Sequence, residues 1–412
     1  MSKKNFYSLL QNEIKELDYI KVAKRDEKII EGFVHNGVPK AIIEGKIYHI
    51  FNSNDYLGLR HHPLLMEAER KGSEKYGTGP GAVRFISGTL KIHRDLEDTI
   101  ARFHKRDDAI VFSSAFSANL AVIFCLVAGR GKDSNLSDGV IVISDILNHR
   151  SIIDGIRLTN LAKEKRIIYN HLDITNLEKI LEKNLKSNKR AIVITDGIFS
   201  MLGDYPKIKK MRQVIDYYDQ KYTLGVLLVT DDSHGVGSIG KCGRGVEEIE
   251  NGKADLLVGT FGKSFGCDGG YAVGDQTLID YLRESAATYI FSNSIPPGTA
   301  AAAKQAVELV DKKEGKKLLK QLKKNIFYFK QKSQASGLKF VTDSNHPIQP
   351  LLIGDPLKTK EIVDYFYNKQ ILVTNINFPV VPKGMDEIRI QLSAVHTLKD
   401  IDNFINTIEN IL

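Results

Sequence analysis

One rhythm constrains this chain more than any other feature. Between Pro63 and about Pro296, short apolar and β-branched runs alternate with stretches of helical periodicity. The runs fall at residues 109–112, 140–144, 166–169, 191–195, 226–230 and 256–260. They are apolar almost without interruption, and a strand of that kind needs cover on both faces. Helices between the strands supply the cover, so an α/β fold around a mostly parallel central sheet is expected. Pro296-Pro297 breaks the pattern, a long helical stretch follows over 299–334, and strands and helices resume from Leu338. The predicted division is an N-terminal arm and hairpin over 1–60, a large domain over 61–296, and a smaller C-terminal α/β domain over 297–412. The arm reads as a helix over 1–20, and residues 42–52 read as a hairpin turning at Glu44-Gly45-Lys46.

Composition excludes several classes. With 412 residues, 42% hydrophobic and 26% charged, the chain is ordinary globular material, long enough to bury a full core. Its longest apolar run, over 120–128, falls well short of the roughly 20 residues that cross a bilayer. The start, Met1-Ser2-Lys3-Lys4-Asn5-Phe6, is basic but leads into polar residues, with no apolar signal core. Cys125, Cys242 and Cys267 form no CxxC pair and no even-numbered framework, which suits a reducing cytoplasm. The net charge of +8 is diffuse. Lys316-Lys317 and Lys323-Lys324 sit among apolar residues on a helical stretch and read as a solvated face, not a nucleic-acid site. A basic rim also suits an anionic substrate such as an acyl-CoA.

The chemistry gathers at strand ends, where ligands bind in sheets of this type. The run over 226–230 leads into Asp231-Asp232-Ser233-His234-Gly235, and the run over 256–260 into Phe261-Gly262-Lys263-Ser264. Neighbouring strands would thus present a carboxylate, an imidazole and an amine on one rim. That set suits pyridoxal 5′-phosphate (PLP). A lysine holds the cofactor as a Schiff base, and an acid keeps the pyridine nitrogen protonated so that the ring serves as electron sink. Burial and a cationic cofactor would both lower the Lys263 pKa toward a neutral, reactive amine. Gly259, Gly262 and Gly266 would let the backbone approach the cofactor. Taken alone, Lys263 could be a solvated turn lysine; Asp231, His234 and the strand context decide for PLP.

Two look-alike motifs fail. Gly262-Lys263-Ser264 resembles the end of a phosphate-binding loop, but Leu257 stands where its opening glycine belongs. Gly77-Thr78-Gly79-Pro80-Gly81-Ala82 has the form of a dinucleotide fingerprint, yet follows a helical stretch and not a strand. No HExxH and no Cys/His metal spacing occurs, so no metal is expected, and His61-His62 read as the border of a helix start.

Further segments carry a specific resemblance. They are Asn52-Ser53-Asn54-Asp55-Tyr56-Leu57-Gly58-Leu59, residues 77–89, Ser144-Asp145-Ile146-Leu147-Asn148-His149, Asp196-Gly197-Ile198-Phe199-Ser200-Met201, residues 231–245 and 260–270, Phe291-Ser292-Asn293-Ser294, and Ile388-Arg389-Ile390-Gln391-Leu392-Ser393-Ala394. Together, in this order, they resemble the α-oxoamine synthase family of fold-type I PLP-dependent transferases, which condense an amino acid with an acyl-CoA. The resemblance implies roles. Asp231 would pair with the pyridine nitrogen, and His234 would reach the ring hydroxyl and the thioester. His149 would stack on the ring. The Ala115-Phe116 backbone and Thr260 would hold the phosphate, with Ser292 joining from a partner subunit of a homodimer. Ser200 would lie at the cofactor and, with Asn54, complete the substrate site. Arg389 would clamp the substrate carboxylate as a bidentate fork.

The implied reaction is an acyl transfer in which Lys263 removes the α-proton and CoA leaves. Within the family, residues 83–89 and 377–384 look closest to the glycine C-acetyltransferase branch, so glycine and acetyl-CoA are the expected pair. Acyltransferases of the 8-amino-7-oxononanoate or serine palmitoyltransferase type are the nearest alternative. An aminotransferase, or a non-catalytic subunit on the same fold, is more distant, since Lys263 is present.

Overall fold

A computed structural model describes residues 3–19, 25, 27–34, 39–131, 134–378 and 380–412. Met1, Ser2, Ile20 and Pro379, which belong to stretches named above, lie outside the described residues. Each apolar run forms a strand, several of them a residue or two longer than expected. They are β1 Asp108–Phe112, β2 Val140–Asp145, β3 Arg166–Tyr169, β4 Arg190–Asp196, β5 Val226–Asp231 and β6 Leu256–Thr260. A strand that the patterning did not mark, β7 Gly270–Gly274, completes a 7-stranded sheet in the order β1-β7-β6-β5-β4-β2-β3. Strands β2 to β6 pair in parallel, and β7 runs antiparallel to both β1 and β6.

The continuous apolar runs are explained by two cores. Val140, Val142, Ile192 and Ile194 pack with the helix Ala115–Ala128 on one face of the sheet. Their alternates Ile141, Ile143, Ala191 and Val193 pack with the helix Ile208–Asp219 on the other. Both sides of each strand are therefore buried.

The long helical stretch is two helices, Pro297–Asp311 and Lys313–Ala335, with extended backbone at Lys312 between them. Gly315 packs so closely on the end of the first that a Cβ there would lie 2.3 Å from the Val310 Cα. Periodicity runs through the break because Val307, Leu319, Leu322 and Ile326 all enter one core.

The helix Lys3–Tyr19 forms as expected and buries none of its side chains. Lys40–Ile43 and Lys46–Ile50 form the hairpin, closed by Glu44 and Gly45 at φ 49° and 69°, the signs a tight two-residue turn needs. Its second strand pairs in parallel with Ile371–Leu372. Nearby, Glu387–Gln391 pairs antiparallel with Ile348–Leu352 and Thr374–Ile376. The segment after the hairpin thereby meets the final strand: Gln391 N donates to Phe51 O at 2.7 Å, and Ala394 N to Tyr56 O at 2.8 Å. Among the described residues, no helix is long and apolar enough to cross a membrane, and no cluster of three or more His, Cys, Asp or Glu is placed to hold a metal ion.

Candidate active site

The carboxyl ends of β2, β4, β5 and β6 open onto one cavity. It is lined by Ala115, Phe116, His149, Ser200, Asp231, His234, Thr260 and Lys263, all expected from the sequence, and by Asn119, Ser151, Asp196, Ile198 and Ser233.

Strand β5 ends on Asp231, which is buried. Its Oδ2 accepts from Asn119 Nδ2 at 2.5 Å, and its Oδ1 from Ser233 N at 3.0 Å and Ser233 Oγ at 2.5 Å. Asn119 also donates to Ser151 Oγ at 2.9 Å, and Ser151 Oγ lies 2.7 Å from His149 Nδ1. A polar chain thus joins His149 to Asp231. Beside Asp231, Asp196 ends β4 as its register partner. Burial first, then the Asp231 charge, push the Asp196 pKa well up. Its Oδ2 accepts from His149 N at 3.2 Å.

Lys263 follows β6. Burial draws its amine down to about 8, although Asp231 pulls the other way. His149 opens the helix Arg150–Leu158 and leaves its ring exposed to the cavity, edge-on to Phe116 at 6.4 Å. The helix Ala115–Ala128 starts at the same rim. Ser114 caps it by accepting from Ser117 N at 3.1 Å. A cap of this kind contributes about 1 kcal/mol. The first-turn N–H groups of Ala115 and Phe116 have no acceptor within the helix.

Asn54 and Arg389 do not line this cavity; a hydrogen-bonded chain connects them to His234, which does. Burial, then Lys263 and Arg389, push its pKa well down, so the imidazole is neutral. Its Nδ1 lies 2.9 Å from Tyr56 Oη, which lies 3.2 Å from Asn54 Oδ1. The same Asn54 oxygen accepts from Gln391 Nε2 at 2.5 Å and from Arg389 Nη2 at 3.5 Å. Arg389 Nε is buried without a hydrogen-bond partner. Ser292 does not line this cavity and lies in the segment after the helix Ala287–Ile290.

A family model described as aminotransferase class I and II matches residues 46–408. The chain is 37% identical over 412 residues to the 8-amino-7-oxononanoate synthase of Petrotoga mobilis, covering 99% of this chain and 98% of that protein. It is also 37% identical over 370 residues to the mitochondrial 2-amino-3-ketobutyrate coenzyme A ligase of Bos taurus, covering 89% of this chain and 82% of that one. Among solved structures, the serine palmitoyltransferase of Sphingomonas wittichii superposes with a TM-score of 0.88 at 25% identity, covering 100% and 98% of the two chains. The chain belongs to the α-oxoamine synthase family.

As an α-oxoamine synthase it is a fold-type I, PLP-dependent transferase. The cavity's own chemistry fits that cofactor. Asp231, held by Asn119 and Ser233, would meet the pyridine nitrogen, and the unpaired N–H groups of Ala115 and Phe116 would meet the phosphate. The exposed face of His149 and the amine of Lys263 complete the set on the same wall.

Sequence reasoning about this α-oxoamine synthase missed several residues. Tyr56, Asp196, Ser233 and Gln391 lie in segments that carried the resemblance but were given no role, Ser151 was passed over, and Asn119 left a trace as a polar residue in a mostly apolar helix. Two glycines need correction. A Cβ at Gly259 would lie 2.3 Å from Tyr271 Cζ, and one at Gly266 would lie 2.4 Å from Arg60 N. Close packing on Tyr271 and on the Leu59-Arg60 backbone, not approach to the cofactor, requires glycine there.

Proposed function

We propose that this enzyme joins alanine to pimeloyl-CoA with loss of carbon dioxide, giving 8-amino-7-oxononanoate and free CoA. The observation that carries the reading is similarity to the Petrotoga mobilis synthase along nearly the whole of both chains. The bonds balance. The thioester C–S bond breaks and a C–C bond forms at the α-carbon. The α-proton goes to a base, CoA takes up a proton and leaves as the thiol, and as the carboxyl carbon leaves as carbon dioxide the α-carbon takes up a proton in its place.

PLP, when bound, supplies the electron sink that makes the α-carbon nucleophilic. The chain's own residues do the rest. Asp231 would hold the cofactor through its pyridine nitrogen and place negative charge there, and His149 would pack on the ring. The Lys263 amine, drawn to about 8, is matched to taking and returning a proton near neutral pH. Arg389 and Asn54 hold the amino-acid carboxylate, and neutral His234 offers its ring to the thioester oxygen. Ser200 borders the substrate. Ser292 of a second copy reaches the phosphate across a two-fold interface, so the working form is a homodimer.

A second reading is glycine with acetyl-CoA, the pair expected from residues 83–89 and 377–384. The 37% identity to the bovine ligase supports it. A panel of glycine, alanine and serine against acetyl-, pimeloyl- and palmitoyl-CoA, read by release of free CoA, separates them. Alanine with pimeloyl-CoA should have the highest kcat/KM by about tenfold, a 1.4 kcal/mol preference. Glycine with acetyl-CoA winning by that margin would give the second reading.

A further inference from the structure

A second groove, of about 1000 Å³, lies between the helix Lys313–Ala335 and the segment 238–249. It shares no lining residue with the Lys263 cavity. Its floor is apolar: Leu319 and Ile326 are buried, with Ile239 beside them. From its two walls project Phe327 and Ile249, 63% and 39% exposed. Water is a poor neighbour for such side chains, and apolar surface gathered in a concavity marks a binding site more often than scattered exposure does.

The rim is cationic. Lys316, Lys320 and Lys323 stand on successive turns of one helix face, and Lys241 faces them from the other wall. None of these four makes an ion pair among the described residues. The groove's one acidic lining residue, Asp343, is committed to Lys330 at 2.5 Å. An acidic protein surface would meet the lysines but leave the depth unfilled. A molecule with an apolar chain and an anionic head answers both features, since lysine stems pack on a chain while their ammonium groups bind the head. At the inner end stand buried His346 and Ser238. His346 Nε2 lies 2.9 Å from the backbone oxygen of His234 and 3.1 Å from Ser238 Oγ, so this end adjoins a residue of the active site.

We infer that this groove is a second ligand site, which takes one long-chain acyl anion. The chain lies on Leu319, Ile326, Phe327 and Ile249, and the head lies among Lys316, Lys320 and Lys323. A free fatty acid and a fatty acyl-CoA share that chemistry. The inference goes beyond the proposed reaction and does not depend on its substrate pair.

Equilibrium dialysis of the PLP-loaded enzyme in its native assembly tests it, with labelled palmitate in one arm, palmitoyl-CoA in a second and CoA in a third. Palmitate should bind saturably, one per chain. Charge reversal in K320E/K323E should weaken it about tenfold or more. All of these side chains are exposed, so the fold should tolerate the change, and F327S, which keeps every charge, should also weaken binding. Binding should persist in Lys263→Ala. The palmitoyl-CoA arm is read as the difference between wild type and K320E/K323E, and its strength against palmitate identifies the preferred head. Four results would overturn the inference: no saturable palmitate binding, equal binding by K320E/K323E, loss of binding in Lys263→Ala, or CoA binding as tightly as palmitoyl-CoA. The readout is binding, so failure of the substrate panel leaves it intact, and the reverse holds too.

Discussion

Asp196 and Asp231 are register partners at the ends of adjacent parallel strands, and burial together with the Asp231 charge pushes the Asp196 pKa well up. Asp196→Asn mimics the protonated acid and can still accept from His149 N. It should keep the visible absorbance of bound PLP and most of the turnover. Asp231→Asn removes the charge itself and should lower turnover by about 10²–10³-fold, as loss of a preorganised electrostatic group does. Spectra and CoA-release rates of both variants check the ranking, and the reverse order would contradict the assignment.

Lys263 captures PLP only as the neutral amine. With its pKa drawn to about 8, uptake of PLP by the cofactor-free protein should quicken as pH rises and level off above that value. Stopped-flow absorbance measures the midpoint, and one near the ordinary lysine value would count against a desolvated amine. Lys263→Ala should lose the band and nearly all turnover.

Arg389 stands beside Asn54, whose oxygen also accepts from Gln391. Arg389→Ala should raise KM for the amino acid and lower kcat together, with a loss in kcat/KM of about 10²-fold from misplaced substrate. Asn54→Ala should act in the same direction more weakly. Steady-state kinetics with varied amino acid decide it, and an Arg389→Ala enzyme with unchanged KM would remove the carboxylate role.

His171 bridges Asp145 and Asp204, with its ring nitrogens 3.0 Å from each. Burial works against its charge, but the two carboxylates outweigh it and hold the pKa up at about 9. A raised histidine pKa favours the protonated fold. The stabilisation is therefore complete below the unfolded value of about 6.5 and fades as pH climbs through about 9. His171→Asn should lower Tm at pH 6 far more than at pH 10. Equal losses at both would mean the ring is neutral throughout.

Legibility followed locality. Strands β1 to β6 announced themselves because burial on both faces leaves an unbroken apolar run. Asp231, His234 and Lys263 were readable because they ride on the ends of such runs. Strand β7 was not, since glycine at both ends dilutes its strand character, and pairing with β1 and β6 defines it. The Tyr56–His234 and Asn119–Asp231 bonds span 178 and 112 positions, and nothing local to either residue of a pair points to its partner. Arg84, in the 83–89 segment that carried the branch resemblance, is buried against Glu97 at 3.0 and 3.1 Å. Only the folded arrangement reveals that pair.

The parallel pairing of the hairpin strand Lys46–Ile50 with Ile371–Leu372 has a consequence for how the protein is made. Asn54 and Arg389 lie 335 positions apart, so a ribosome releases the first long before the second exists. The large sheet can assemble while synthesis continues, but the hairpin waits with an unpaired edge, a state open to wrong partners. On that order of synthesis, the proposed PLP end would be complete before the proposed carboxylate-binding end. An interrupted chain would hold a nearly finished cofactor pocket with no means of gripping an amino acid.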